Sequence, residues 1–208
     1  MRLWIVLFAF VASACTSGPK FNALFDGETL DGWVTKGGRY DGTASWTVED
    51  GAITGRVDSN GAGGLIYSER TYQNFILELD AWIDYPFDSG IFIHMSPQAK
   101  GVQVTIDYRP DGEVGGIYSD GWLEHNRDGK GRFRRGAWNH FRVECRGGRA
   151  FHLQVWMNGE PLTEYQLTRG IEAYAETGLI GLQVHGGRDD PRGNRARFRN
   201  IELAGLDC

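Results

Sequence analysis

The sequence is poor in cysteine, with three residues in 208 and no C-x-x-C pair, which argues against a cysteine-zinc cluster or a dithiol redox centre. Positive charge is also scarce. Lysine and arginine number 22 against 27 aspartates and glutamates, for a net charge of −5. A mildly acidic chain is a poor match for a phosphate backbone, so no nucleic-acid partner is expected. The stretch NRDGKGRFRR is locally basic and reads as a solvated loop. No helical periodicity persists beyond a turn or two, and beyond the N-terminus no apolar run is long enough to span a bilayer. Glycine, by contrast, is abundant, at 30 residues.

Those glycines separate strand-like runs. SWTVEDGAITG reads as a hairpin about Asp50-Gly51, and AFHLQVWMNGEPLTEYQL as another about Asn158-Gly159, because these dipeptides suit the primed turns of hairpins. Between them lie further runs such as FILELDAWID, GIFIHMS, GVQVTIDY, WNHFRVECR, GLIGLQVHG and RARFRNIEL. About ten to twelve short strands without crossover helices predict an all-β fold, a two-sheet antiparallel β-sandwich of the jelly-roll type.

Four strands share a pattern of period two. Phe75, Leu77, Leu79, Ala81 and Ile83 alternate with Ile76, Glu78, Asp80, Trp82 and Asp84. Ile91, Ile93 and Met95 oppose Phe92, His94 and Ser96, and Val102, Val104 and Ile106 oppose Gln103, Thr105 and Asp107. Ile180, Leu182 and Val184 oppose Gly181, Gln183 and His185. One face of each belongs between the sheets. The other is either an ordinary solvated face or the floor of a shared groove. Aromatic rings beside hydrogen-bonding groups suit a sugar, with its apolar C–H faces and rim of hydroxyls. Trp33, Trp46, Trp138 and Trp156 are assigned to core or hairpin packing. Phe198 and Ile201 fall on opposite parities, which predicts a bulge near Arg199-Asn200.

The N-terminus reads as a leader. Arg2, the apolar LWIVLFAFVA and the small residues before Cys15 make residues 1–14 a signal peptide. A cysteine directly after them resembles a bacterial lipobox, with Ala12 where leucine is commonest. That resemblance implies lipidation of Cys15, a tether over residues 15–20, one domain over 21–208, and residence at the cell envelope, on the periplasmic side or the outer-membrane surface, with the membrane as partner through the anchor. A soluble secreted protein cut after Ala14 is the alternative. Cys145 and Cys208 either pair, or Cys145, which shares a face with Phe141 and Val143, is a buried thiol.

The segments FNALFDGETLDGW, YQNFILELD, DSGIFIH, GAWNHFRVECRG, MNGEPL, GLIGLQVHGG and ARFRNIEL resemble, in order and over residues 21–205, the 3-keto-disaccharide hydrolase domain family. The resemblance implies a concanavalin-like jelly roll of the lectin and glucanase type, and a carbohydrate ligand. It implies cleavage of a glycoside bearing a ketone at C3: a base removes the C2 proton, the C1 substituent leaves by elimination, and water adds. His185 is the first choice for the base or acid, with His94, Asp107 and Asp80 as further catalytic candidates. Gln103, Gln183, Trp82, Phe92, Tyr118, Trp122 and Arg197 are the candidate substrate contacts, Arg197 as a polariser of the ketone oxygen. Gly186 and Gly187 either leave room for a ligand or simply turn the chain.

The chain departs from the family where His94 replaces the usual arginine, Asp88 replaces asparagine, and GVQVTIDY alters an acidic strand so that Gln103 or Val102 takes the glutamate's place. His94 and His185 with Asp80 or Asp107 are then a possible divalent-metal set. A non-catalytic carbohydrate-binding protein is the alternative reading. The glucanase signature E-x-D-x-x-E is absent, since Glu78 and Asp80 are followed by Trp82 and Ile83, so a retaining carboxylate pair cannot be assembled there.

Overall fold

The computed structural model describes residues 18–38, 41, 44–97, 100–172, 174–187 and 193–206. The leader, Cys15 and Cys208 lie outside them, as therefore do the lipidation and the Cys145–Cys208 pairing. Among the described residues no helix is long and apolar enough to cross a membrane.

In chain order the strands are β1 (Asn22–Ala23), β2 (Trp33–Val34), β3 (Ser45–Glu49), β4 (Ala52–Arg56) and β5 (Gly64–Tyr72). There follow β6 (Phe75–Ile83), β7 (Gly90–Met95), β8 (Val102–Ile106), β9 (Val114–Tyr118) and β10 (Trp122–Glu124). A single helical turn, α1 (Gly129–Arg132), precedes β11 (Asn139–Gly147), β12 (Phe151–Met157), β13 (Glu160–Leu167), β14 (Gly178–Val184) and β15 (Ala196–Gly205). They form two antiparallel sheets. An eight-stranded sheet runs β13-β12-β11-β6-β15-β4-β3 with β1 also on β15, and a seven-stranded sheet runs β10-β9-β8-β7-β14-β5-β2.

Alternation sets the core. Phe75, Leu77, Leu79, Ala81 and Ile83 face inward from β6 and meet Ile91, Ile93, Val104, Ile106, Ile180 and Leu182 from the other sheet, all fully buried. Burial of each such aliphatic or aromatic side chain contributes about 1.5–3 kcal/mol. Both expected hairpins form, Glu49 opposite Ala52 and Met157 opposite Glu160. Asp50 and Asn158 take positive φ there, followed by Gly51 and Gly159, as a primed turn requires. The DGETLDGW segment is a structural loop. Asp26 Oδ1 accepts from the backbone N–H groups of Glu28 at 2.8 Å and Thr29 at 2.7 Å, and buried Trp33 donates from Nε1 to Leu24 O at 2.8 Å.

Two bulges redirect side chains. In β15 the register shifts between Arg199 and Glu202, with Asn200 at φ 51°, so Phe198 and Ile201 both reach the core as expected. The second, in β7, corrects the expectation for His94. Met95 pairs with Leu179 and Phe92 with Gly181, so Ile93 and His94 together oppose one residue, and His94 takes φ 52°. Parity reverses there. Met95 joins Phe92, Leu65 and Tyr67 on the outer side, while His94 turns between the sheets. Its ring stacks on Phe151 at 5.7 Å, and Nε2 lies 3.3 Å from the Sγ of buried Cys145.

Candidate functional site

The outer face of the seven-stranded sheet holds a groove of about 230 Å³, floored by five adjacent strands, β10, β9, β8, β7 and β14. At its centre Gln103 Nε2 donates to Gln183 Oε1 at 2.8 Å. The two residues stand on β8 and β14, with β7 between them. Gly90 makes the meeting possible, because a Cβ there would sit 2.4 Å from Gln103 Nε2. The Ser89 hydroxyl anchors β14 by donating to Gln183 O at 2.7 Å. The amide pair thus presents a fixed polar floor.

One end of the groove carries its charge. His185 leaves the tip of β14 with Nε2 3.6 Å from Asp88 Oδ2. Arg109 donates from Nη2 to that same oxygen at 3.0 Å and grips Asp107 through Nε and Nη2, each at 2.9 Å. The loop that delivers Arg109 is closed by Asp107 N–H donating to Glu113 O at 3.0 Å. Asp88 and Asp107 keep side-chain exposures of only 13% and 16%, so their charges act in a partly dehydrated setting where pairing is strong. An imidazole there can transfer a proton, and the guanidinium can stabilise negative charge that develops beside it.

The other end is aromatic. Trp122, 43% exposed, packs over Gly116, where a Cβ would lie 2.5 Å from its ring. Tyr118 meets it edge-on at 5.4 Å and His125 lies against it at 4.7 Å. His125 Nδ1 is 2.8 Å from Oε1 of buried Glu113, whose Oε2 accepts from Asn126 N–H at 2.8 Å. Phe92 forms a buried wall rather than an open platform.

Of the residues singled out from sequence, the structure gathers His185, Asp107, Gln103, Gln183, Phe92, Tyr118 and Trp122 around this groove. Four others lie elsewhere. His94 is fully buried between the sheets. Asp80, Trp82 and Arg197 stand on β6 and β15, on the outer face of the eight-stranded sheet. Asp80 accepts there from Asn200 Nδ2 at 2.8 Å and lies 3.0 Å from His140 Nδ1. Arg197 donates to Asp84 Oδ1 at 2.8 Å. The reason is topological: β6 pairs with β11 and β15, and the chain crosses to the second sheet before β7. Trp138, assigned to packing, instead lines a cavity with Trp82. Gly186 serves the backbone, since a Cβ there would lie 1.9 Å from Gly63 N. Asp88, Arg109, Glu113 and His125 were not singled out as site residues. Arg109 and Glu113 lie on the loop between β8 and β9 that also carries Asp107, whereas Asp88 precedes β7 and His125 follows β10.

A divalent ion does not fit the set expected for it. His94 and Asp80 are remote from His185, and Asp88 and Asp107 are already engaged in ion pairs with Arg109. Among the described residues no group of three or more His, Cys, Asp or Glu side chains is arranged to hold a metal.

Comparison with known proteins gives a consistent picture of the fold. Residues 20–204 match a family model described as the 3-keto-alpha-glucoside-1,2-lyase-like domain. No curated protein matches the chain. Among solved structures, the chain is similar to a candidate glycosyl hydrolase from Parabacteroides distasonis, with TM-score 0.62, 22% identity, and coverage of 90% of this chain and 94% of that one. It is similar to a Bacillus subtilis protein of unknown function with a galectin-like fold, with TM-score 0.60, 11% identity, and coverage of 85% and 90%. It is also similar to the carbohydrate binding module CBM66 from Bacillus subtilis, with TM-score 0.54, 17% identity, and coverage of 84% and 96%. At these identities the likeness establishes the two-sheet sandwich and nothing finer.

Proposed function

The chain belongs to the 3-keto-alpha-glucoside-1,2-lyase-like domain family, and from that premise we propose that it cleaves a 3-keto-glycoside in the groove of its seven-stranded sheet. The observation that carries the reading is His185 beside Asp88 at one end of a groove whose other end is aromatic, with Arg109 paired to Asp88 and Asp107 of its lining.

A ketone at C3 acidifies the C2 proton. His185 takes that proton, the electron pair forms an enolate on the C3 oxygen, and the guanidinium of Arg109 stabilises the developing charge. Collapse of the enolate breaks the C1–O bond, and the leaving oxygen acquires a proton. Water then adds hydroxyl at C1 and hydrogen at C2, giving the free 3-keto sugar. The Gln103–Gln183 pair orients ring hydroxyls, and Trp122 with Tyr118 offers a face to the C–H side of the sugar. Residence at the envelope through Cys15 is part of the same proposal. It is checked by fatty-acid labelling that Cys15→Ala abolishes.

Exposed Trp122 also favours a second reading, a carbohydrate-binding protein without turnover. One experiment separates the two. The purified protein is incubated with a chromogenic 3-keto-glucoside, and release of the chromophore that His185→Gln abolishes, with unchanged melting, supports the lyase reading. Binding without release in the wild type leaves the module.

A further inference from the structure

The outer face of the eight-stranded sheet, opposite the groove, carries a separate cavity of about 300 Å³ lined by Trp82, Trp138, Arg195, Arg197, Arg199 and the Glu49–Ala52 turn. The three arginines alternate along the chain as it enters β15, so they emerge on one side. Arg197 is in register with Trp82 on β6, and Trp138 stands just ahead of β11, the next strand over. The indoles meet edge to face, 5.7 Å apart at 89°.

Each indole carries a guanidinium. Arg197 lies 5.2 Å from the Trp82 centroid and Arg199 lies 4.1 Å from that of Trp138. Stacking fixes a guanidinium plane through its face and leaves the in-plane N–H fork free to donate. The nearby carboxylates leave part of that capacity unused. Glu49 is already held by Arg56 at 2.6 and 2.7 Å, and Asp80 accepts from Asn200 while contacting His140. Arg195 comes no closer than 3.8 Å to Glu49 and Asp84 in its ion pairs with them, beyond hydrogen-bond range. Arg199 Nε, 3.5 Å from Asp80, is buried without a hydrogen bond. Of the stacked pair, Arg197 is taken by Asp84 at 2.8 Å, so Arg199 is the planar donor ordered in advance. With Arg195 beside it at the rim of an aromatic cavity, it matches a planar carboxylate on a ring with apolar C–H faces.

We propose that this cavity is a second saccharide site, which binds the carboxylate of a uronic-acid residue in an acidic glycan through Arg195 and Arg199. It is independent of the groove and of the chemistry assigned there. On a chain with net charge −5, such a site gives acidic glycans a local, salt-sensitive foothold.

Isothermal titration of the purified protein with a galacturonate hexamer, and separately with a neutral glucose hexamer, tests this. The expected result is binding of the uronate that weakens with added salt and falls at least tenfold in Arg195→Ala and in Arg199→Ala. Arg199→Lys, which keeps the charge without the fork, is expected to lose several-fold while melting like the wild type. His185→Ala, in the groove, leaves uronate affinity unchanged. Absence of uronate binding, equal affinity for the neutral hexamer, or full affinity in both alanine variants overturns the proposal. So does loss of uronate binding in His185→Ala, which would place the ligand in the groove.

Discussion

One oxygen of Asp88 serves two partners: His185 Nε2 lies 3.6 Å from Oδ2, and Arg109 Nη2 donates to the same atom at 3.0 Å. Through Arg109 the chain of charges continues to Asp107. At 3.6 Å the imidazole is beyond a normal hydrogen bond, and protonation draws it toward the carboxylate. Under the proposed lyase reading, a base that gains a proton during the reaction is thereby stabilised in the state it must reach.

His185→Gln is therefore expected to lower kcat for a 3-keto-glucoside by roughly 10²–10⁴-fold, the range for a proton-transfer group, with little change in melting. Asp88→Asn, which keeps the shape and removes the charge, should lower kcat less. Steady-state kinetics on the two variants checks the order, and an Asp88→Asn loss exceeding that of His185→Gln contradicts it.

Arg109 compensates two largely buried carboxylates, so its removal leaves them facing each other. Arg109→Ala is expected to cost about 1–3 kcal/mol of stability. Adding Asp107→Asn should return part of that loss, with a coupling on the order of 0.5–3 kcal/mol. Urea melts of the two single variants and the double variant supply the cycle, and strictly additive losses would show that Arg109 and Asp107 do not act together.

The alternation that places Ile180, Leu182 and Val184 inward and Gln183 and His185 outward is a local property, so it was readable from one strand. The sheet to which a strand belongs is not local. Asp80 and Trp82 have the expected outward parity, yet β6 sits in the other sheet, which carries them to the opposite side of the molecule. His94 was hidden for a different reason. A single extra residue in β7 reverses parity, and nothing in GIFIHMS marks the position. Glu113 and His125 stand twelve positions apart and meet only because β9 and β10 fold the intervening chain back.

That Glu113–His125 contact steadies the aromatic end of the groove. Trp122→Ala removes the exposed platform and is expected to weaken sugar affinity by about 1–3 kcal/mol, the scale of an aromatic stacking contact together with lost apolar area. Glu113→Gln frees His125 from its fixed orientation against the Trp122 ring, and should raise KM for the 3-keto-glucoside while kcat changes less. Kinetics on Glu113→Gln that show a fall in kcat alone would instead assign this pair to the chemical step.

His94 makes the protein sensitive to acid. Burial between the sheets, against Phe151 and the Cys145 thiol, pushes its imidazole down to about 4, whereas in the unfolded chain it titrates near 6.5. The same burial holds Cys145 up at about 12, so the thiol stays protonated throughout the acid range. Between pH 6.5 and 4 the unfolded chain binds a proton that the folded chain refuses, so stability falls as pH drops through 6.5 and the loss levels off below about 4. By pH 4.5 the difference amounts to roughly 2–3 kcal/mol relative to pH 7.5. His94→Leu removes the ionisable group and leaves an apolar side chain among apolar neighbours. Its stability relative to the wild type should improve by that amount between pH 7.5 and 4.5, whatever the substitution costs at neutral pH. Urea midpoints measured at both values decide the matter, since parallel pH profiles for variant and wild type would mean that the ring accepts its proton inside the fold and does not lie where the β7 bulge puts it.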